Sequence, residues 1–306
     1  MPLSICEALR KGTQELKLSA NDLIPANELQ EQFITTQYIP YLHHRMYEYF
    51  PKPELIGFIV DSHAGTADYQ EQTANLKAHG FNVHVGQAPV GTFGLGAWQK
   101  INIKWRVQVA KTTITSADTT YAGMYIQNHV RHKQVRFFTK PDNAMVVIVE
   151  LLARNKDKVY LATKRDGDFF EHNPDDITLI NTLKQYQNEL HNGTYTTDTR
   201  YSGVKFPTIT YEEEFEVEWL GGLKIGENCT ISHALQKISF TMVPLNMNDI
   251  GAQFSDGANA ADASPAKIVD INKPFLVWIE RPGVPLPIFA GYMPKKYWSA
   301  YKEPVE

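Results

Sequence analysis

Four glutamates alternate with other residues along the segment 211–219, whose sequence is YEEEFEVEW. Side chains of a β-strand alternate between its two faces, so Glu212, Glu214, Glu216 and Glu218 are expected to share one face. Like charges about 7 Å apart along a strand repel each other and need compensation by water, by basic side chains or by a divalent cation. We therefore predict either a solvated face or a candidate site for Ca²⁺ or Mg²⁺.

A second pair of candidate metal ligands, Asp166 and Asp168, lies in the segment 166–176, DGDFFEHNPDD. Their spacing is that of the first two ligands in a calcium-binding loop. The terminal glutamate of the full loop pattern is missing. Asp166 and Asp168 are therefore candidate ligands or part of a polar loop. No motif in the chain requires a cofactor.

A basic stretch is the third candidate. Residues 100–140 hold eight Lys or Arg residues and one acid, which is a charge of +7 within a chain of net charge −4. Aromatic residues such as Trp105 and Phe137 are interleaved with the cations, and single-stranded nucleic acid is bound by phosphate neutralisation together with base stacking. The alternative is that the rings are core residues and the cations a solvated face. The candidate nucleic-acid-facing residues are Lys100, Lys104, Arg106, Arg131, Lys133 and Arg136.

The common catalytic motifs are missing from the sequence. There is no GxxxxGK[ST] phosphate loop, GxSxG elbow, HExxH pair or CxxC pair. The segment 91–96, GTFGLG, is followed by strand-like residues, whereas a dinucleotide phosphate needs a helix N-terminus at that point. We therefore predict that the protein is not an enzyme.

Composition indicates a folded, non-membrane chain. Of 306 residues, 43% are apolar and 21% are charged, which excludes the signature of disorder. The longest apolar run, 144–153, is far shorter than the roughly 20 residues of a membrane helix. The first residues, 1–12, lack a basic region followed by an apolar core, so we expect a cytoplasmic or nuclear rather than a secreted protein. Cys6 and Cys229 are expected to be free thiols.

The elements that must position these side chains are mostly strands. Helical spacing predicts helices over 66–80 and 174–190, the second opening with a proline and two acids. Alternating or continuous apolar residues predict strands over 81–85, 101–109, 121–128, 134–139, 144–152, 157–163, 204–219, 235–243, 274–281 and 286–293. Long polar or irregular links, at 35–62, 191–203 and 246–266, separate them. This pattern favours a mostly β, antiparallel sandwich or barrel in one domain, 1–306.

Three segments resemble the capsid proteins of small single-stranded DNA viruses, of the densovirus branch of the parvoviruses. They are 38–55, YIPYLHHRMYEYFPKPEL; 68–85, DYQEQTANLKAHGFNVHV; and 273–285, KPFLVWIERPGVP. The resemblance implies a single jelly roll of eight antiparallel strands with long surface loops and a few short helices.

The resemblance also implies the function. The chain would be a structural protein that self-assembles into an icosahedral virion shell, of about 60 copies, around single-stranded DNA. The basic stretch would face the DNA, a divalent cation would sit at subunit contacts, and a host receptor would bind the outside.

An alternative resemblance leads to another class of protein. The segment 274–294, PFLVWIERPGVPLPIFAGYMP, resembles the paired C-terminal strands of serpins, and 2–13, PLSICEALRKGT, resembles their N-terminal stretch. This similarity implies a protease inhibitor. The segment 246–266 would then be the reactive loop, although it lacks the acidic residue, glycine and alanine run of the hinge that inserts into a sheet.

Overall fold

The structure is a computed structural model of the chain. It describes residues 9, 23–27, 30–31, 56–63, 74, 77–78, 80–82, 92–106, 109–127, 135–153, 156–227, 229–244, 267–283 and 287–301. The predicted helix over 66–80 and the strand over 81–85 lie mostly outside these residues.

The described strands are short to medium in length and follow one another along the whole chain. In chain order they are β1 (Leu23–Ile24), β2 (Ile56–His63), β3 (Thr92–Asn102), β4 (Ala110–Ser116), β5 (Thr119–Gln127), β6 (Val135–Thr139), β7 (Val146–Leu152), β8 (Lys158–Lys164), β9 (Thr196–Thr197), β10 (Tyr201–Pro207), β11 (Ile209–Glu216), β12 (Lys224–Ile225), β13 (Cys229–Met242), β14 (Lys267–Asp270), β15 (Phe275–Glu280) and β16 (Phe289–Met293). Helix α1 spans Asp176–His191, and 3₁₀ turns span Glu218–Leu220 and Lys295–Tyr297.

The chain divides into two compact units, each made of two stretches. The first unit comprises Met1–Ile101 and Tyr211–Phe240, and the second comprises Asn102–Thr210 and Thr241–Glu306. The single domain over 1–306 stays a prediction.

The strands form three sheets. The first has the order β1-β12-β13-β3-β2, with β11 pairing with β13 beside this path. The second has the order β14-β10-β5-β4, in which β10 and β14 are parallel and the other pairs are antiparallel. The third has the order β16-β15-β8-β7-β6-β9.

The third sheet and α1 enclose an apolar core in the second unit. Strands β7, β8 and β15 each carry a run of five buried residues, because neighbouring strands cover both edges and a second layer covers their faces. The cluster between sheet and helix consists of Ile148, Tyr160, Ala162, Leu179, Leu183, Tyr195, Leu276 and Trp278.

Helix α1 begins where the sequence predicts it. The Asp175 side chain accepts a hydrogen bond from the Thr178 backbone N–H at 2.7 Å, which satisfies one of the free donors at the helix start. The helix ends at His191, and the Asn192 N–H donates to the carbonyl of Asn188 at 2.9 Å. The helix predicted over 174–190 is confirmed.

The predicted jelly roll is wrong. A jelly roll has eight strands in two packed sheets, whereas the described residues form three sheets, with β10 and β14 parallel in the second and a long helix on the third. Strand positions follow from local residue patterns, but the order of strands in a sheet depends on pairings between distant residues, which no local pattern specifies. Among the described residues, no helix has the length and apolar character needed to cross a membrane.

Candidate functional site

The stretch between β13 and β14, residues 243–266, is the candidate site, and we call it the connecting segment. Its residues after Pro244 lie outside the described ranges. Both of its ends are held by described residues of the second unit.

The first end is anchored on Trp105, which is 1% exposed. Its indole N–H donates to the carbonyl of Val243 at 3.3 Å. The Ile103 N–H donates to the carbonyl of Thr241 at 3.1 Å, and the Trp105 ring meets the ring of Phe206 edge to face at 5.7 Å. The chain therefore leaves β13 at a defined point.

The second end is anchored by β14. Val204 and Lys205 of β10 stand opposite Val269 and Asp270 in a parallel register. The Ile271 N–H then donates to the carbonyl of Lys205 at 2.8 Å, and Ile271 is fully buried. The connecting segment is thus a link of 24 residues between the end of β13 and the start of β14.

Strands β13 and β3 are neighbours in the first sheet and run in the same direction. Gly94, near the start of β3, faces His233, near the start of β13, while Ile103, just past the end of β3, bonds to Thr241 near the end of β13. A β-carbon on Gly94 would lie 2.1 Å from Nε2 of His233. Only glycine accommodates this approach without a shift of the imidazole.

The four predicted glutamates do not form one row. Strand β11 ends at Glu216, and Glu218 begins the 3₁₀ turn. Glu212 pairs with the ammonium of Lys237 at 3.3 Å, and both carboxylate oxygens of Glu214 accept from the Asn82 N–H at 3.0 Å. Protein donors therefore compensate two of these charges.

Asp166 and Asp168 lie in the exposed turn that follows β8, on either side of Gly167, whose φ is +69°. The ammonium of Lys164 donates to the carbonyl of Asp168 at 3.4 Å. Within the described ranges, no group of three or more His, Cys, Asp or Glu residues is arranged to hold a metal ion. The cation site at the glutamates or at these aspartates stays a prediction.

The predicted basic residues are dispersed. Lys104 and Arg106 are exposed beyond the end of β3, and Lys100 lies within β3. Arg136 on β6 pairs with Glu150. Arg131 and Lys133 lie outside the described residues.

The aromatic residues of the basic stretch are partly core residues. Trp105 and Phe137 are each 1% exposed, so neither presents a ring face on which a base could stack. Ile103 and Trp105 are buried while Lys104 and Arg106 are exposed, although the strand predicted over 101–109 ends at Asn102. For these rings the core alternative is confirmed, and the nucleic-acid-facing role of the cations stays a prediction.

Sequence reasoning missed a charged network on the third sheet. Oε1 of Glu150, on β7, accepts from the guanidinium of Arg136. Its Oε2 accepts from the Tyr160 hydroxyl at 2.9 Å and lies 3.8 Å from the ammonium of Lys158. Burial and the charge of Glu150 raise the pKa of Tyr160 strongly, so its hydroxyl stays protonated and acts as a donor. The sequence signal for this network is that Glu150 is the single acid inside the apolar run 144–153, since a buried acid needs partners.

A second missed group joins Asp198 to Arg200 and Thr139. Both carboxylate oxygens of Asp198 accept from the Arg200 guanidinium, at 2.9 and 2.6 Å, and one also accepts from the Thr139 hydroxyl at 3.1 Å. These bonds, chiefly those from Arg200, lower the pKa of Asp198 to about 2. Its side chain is 5% exposed, whereas that of Arg200 is 62% exposed.

The lowered pKa predicts an acid-sensitive contribution to stability. Because the folded pKa of about 2 is below the ordinary value of 3.8, the contribution is complete above pH 3.8 and is lost as the pH falls towards 2. Asp198→Asn is expected to lower the free energy of unfolding by about 1 kcal/mol at pH 7, since water screens the exposed Arg200. Urea unfolding at pH 7 and pH 2 measures this. The exposed Asp142→Asn is the control, and an equal loss at both pH values for Asp198→Asn would contradict the assignment.

Comparison with known proteins gives a match in structure alone. No protein-family model matches the chain, and no curated protein matches it by sequence. The mouse protein Z-dependent protease inhibitor superposes with a TM-score of 0.60 at 12% identity, covering 94% of this chain and 88% of that one. Native protease nexin-1, solved with heparin, gives 0.55 at 12% identity, covering 95% and 90%. A serpin from the trematode Schistosoma haematobium gives 0.54 at 13% identity, covering 94% and 90%.

These matches overturn the capsid interpretation. A shared serpin fold over most of the chain is incompatible with a parvovirus-type jelly roll, so the icosahedral shell of about 60 copies, the packaged single-stranded DNA and the host receptor were wrong. The localisation predicted with them, in a virion assembled inside the host cell rather than secreted, is wrong for the same reason. The strands predicted within 274–294 are β15 and β16, which pair antiparallel from Phe275 opposite Met293.

Proposed function

We propose that this chain, which has the serpin fold, is a protease inhibitor that offers its connecting segment, residues 243–266, to a protease. The observation that carries the proposal is the place of this segment in the fold. It links β13 of the first sheet to β14 at the edge of the second sheet, and both of its ends are anchored. A protease inhibitor does not turn over a substrate, so the non-enzymatic role predicted from the missing catalytic motifs is part of the same proposal.

The first sheet suggests how inhibition would work. Serpin reactive loops add a strand to a sheet of their own protein. Here the connecting segment leaves the end of β13, and β13 and β3 lie side by side in the same direction. A strand inserted between them would have to separate His233 from Gly94, which lie in close contact.

The composition of the connecting segment narrows the target protease. Residues 243–266, VPLNMNDIGAQFSDGANAADASPA, contain no lysine or arginine. The acidic specificity pocket of a trypsin-like protease therefore has no residue to bind, whereas hydrophobic or small pockets do. We propose a chymotrypsin-like or elastase-like target, with Leu245, Met247, Ile250 and Phe254 as the bulky apolar candidates for the cleavage position.

Incubation with chymotrypsin, elastase and trypsin tests the proposal. We expect chymotrypsin or elastase to lose activity and to form a complex that survives denaturing electrophoresis, while trypsin stays active. Mass spectrometry of the chain should place the cut within 243–266. If all three proteases keep full activity when this protein is present in molar excess over the protease, the proposal fails.

The variant Phe254→Arg provides the matched control for specificity. It places a basic residue in the segment and is expected to create a trypsin cut after position 254 without affecting the sheets. The melting temperature of the cut chain reports insertion, because an added strand stabilises a sheet. An unchanged melting temperature after a cut would contradict inhibition by insertion. The departure of 246–266 from the serpin hinge pattern would then explain why the cut segment does not insert.

A further inference from the structure

A concave site of the second unit, lined in part by β14 at the second end of the connecting segment, has no assigned role. It is a cavity of about 410 Å³ between the end of β8, the start of β10 and the edge strand β14. Its volume is within the range of small-molecule sites. Four cationic side chains line it, namely Lys164, Arg165, Lys267 and Lys273.

Two of these cations, Lys273 and Arg165, are bound to neutral groups. The ammonium of Lys273 donates to the carbonyl of Arg165 at 2.7 Å, and the Arg165 guanidinium donates to the hydroxyl of Tyr201. Among the described residues, none of the four cations forms an ion pair with a carboxylate. Among the lining residues that the structure describes, the one acid is Asp270. Burial raises the pKa of Asp270, and the charge of Lys205 opposes that effect.

The described lining residues therefore carry a net charge of +3 when Asp270 is ionised, and they surround an open space. Like charges held around a cavity repel each other, and an anion placed among them is stabilised by several partners at once. A single negative charge leaves most of this excess uncompensated. A dianion is the better match.

The other described lining residues are uncharged: three are apolar, two carry a hydroxyl and one, Asn272, carries an amide. Val147, Thr163 and Val269 are buried, and Ile268 is 41% exposed. Ile268 is among the few large apolar side chains of the described residues that remain exposed to this extent. A ligand with an apolar body beside its charge would cover it.

We propose that this cavity binds a small organic phosphomonoester. The phosphate dianion is held by Arg165 and the surrounding lysines, because a guanidinium matches two phosphate oxygens and ammonium groups supply further charge. The apolar body of the ligand packs on Ile268. The inference does not depend on protease inhibition.

Calorimetric titration of the full chain with phenyl phosphate tests the proposal, with inorganic phosphate and phenol as the partial ligands. We expect phenyl phosphate to bind about tenfold more tightly than inorganic phosphate, since the ring buries apolar surface, and phenol to show no binding. Affinity should fall as salt is added. Absence of phenyl phosphate binding, or equal binding of phenol, would overturn the proposal.

Variants locate the binding. Lys267→Gln is expected to weaken phenyl phosphate binding about fivefold, and Lys267→Gln with Lys273→Gln more than tenfold. Ile268→Ser should weaken phenyl phosphate but leave inorganic phosphate unchanged. The control is Lys111→Gln, an exposed lysine at the opposite edge of the same sheet, and it should change affinity less than twofold.

Two outcomes of the variant series would overturn the site. One is an equal loss in Lys111→Gln, which would indicate attraction by overall charge. The other is full affinity in the double variant with an unchanged unfolding midpoint. If the double variant fails to fold, Lys267→Gln decides alone, because among the described residues its side chain forms no hydrogen bond or ion pair.

Discussion

Replacing Asp157 with asparagine is expected to lower the free energy of unfolding by about 3 kcal/mol. Asp157 is 3% exposed, and both of its carboxylate oxygens accept from the guanidinium of Arg281, at 2.8 and 2.7 Å. The side chain of Arg281 is 20% exposed. Removing the carboxylate takes two charge-assisted hydrogen bonds away from a largely buried guanidinium, and that loss is the main cost.

Urea unfolding of Asp157→Asn at neutral pH measures this loss. Asp166→Asn, at an exposed aspartate of the same unit, is the matched control and should change stability by less than about 0.5 kcal/mol. Combining Asp157→Asn with Arg281→Gln should cost less than the sum of the two single changes, because both single changes remove the same ion pair. Strict additivity would show that the pair does not interact.

Replacing Trp278 with alanine is expected to cost about 4 kcal/mol. Trp278 is fully buried on β15, and its ring stacks on that of Tyr160 with centroids 4.9 Å apart and planes within 8°. It belongs to the cluster that joins the third sheet to Leu179 and Leu183 of α1. Alanine would leave a cavity beneath the helix that packed side chains on both sides cannot close.

The variant Trp278→Phe separates stacking from volume. It keeps a ring against Tyr160 and loses the indole N–H, which donates to Glu280 at 3.3 Å. We expect it to lose about half as much stability as Trp278→Ala, and chemical unfolding followed by circular dichroism compares the two. A loss below about 1 kcal/mol for Trp278→Ala would contradict close packing of α1 on β15.

The predictions that succeeded concern single segments. Helix α1 was recognisable from Pro174, its acidic start and its helical spacing, and β6, β7 and β8 from buried runs within 134–163. Helix capping and side-chain alternation depend on residues a few positions apart, so a sequence shows them directly. The strand pair within 274–294 was also recognisable, because β15 and β16 are neighbours along the chain and in the sheet.

The contacts that the sequence did not show involve partners distant in sequence. Glu212 pairs with the ammonium of Lys237, and Glu214 accepts from the backbone N–H of Asn82. Neither partner is visible from 211–219 alone. The sequence left open whether the aromatic residues of the basic stretch stack on bases or belong to the core, and folding buries Trp105 and Phe137. Burial of a ring depends on which distant segments cover it.

The sequence by itself therefore determined the positions of most strands, the main helix and the absence of the common catalytic motifs. Only the tertiary structure decided that β10 and β14 are parallel, that β3 and β13 are neighbours, and that the fold is that of serpins rather than a jelly roll. The physical reason is that many strand orders satisfy the same local alternation, and contacts between distant residues select one of them. The same contacts gather Lys164, Arg165, Lys267 and Lys273, which are separated by up to about a hundred residues of chain, around one cavity.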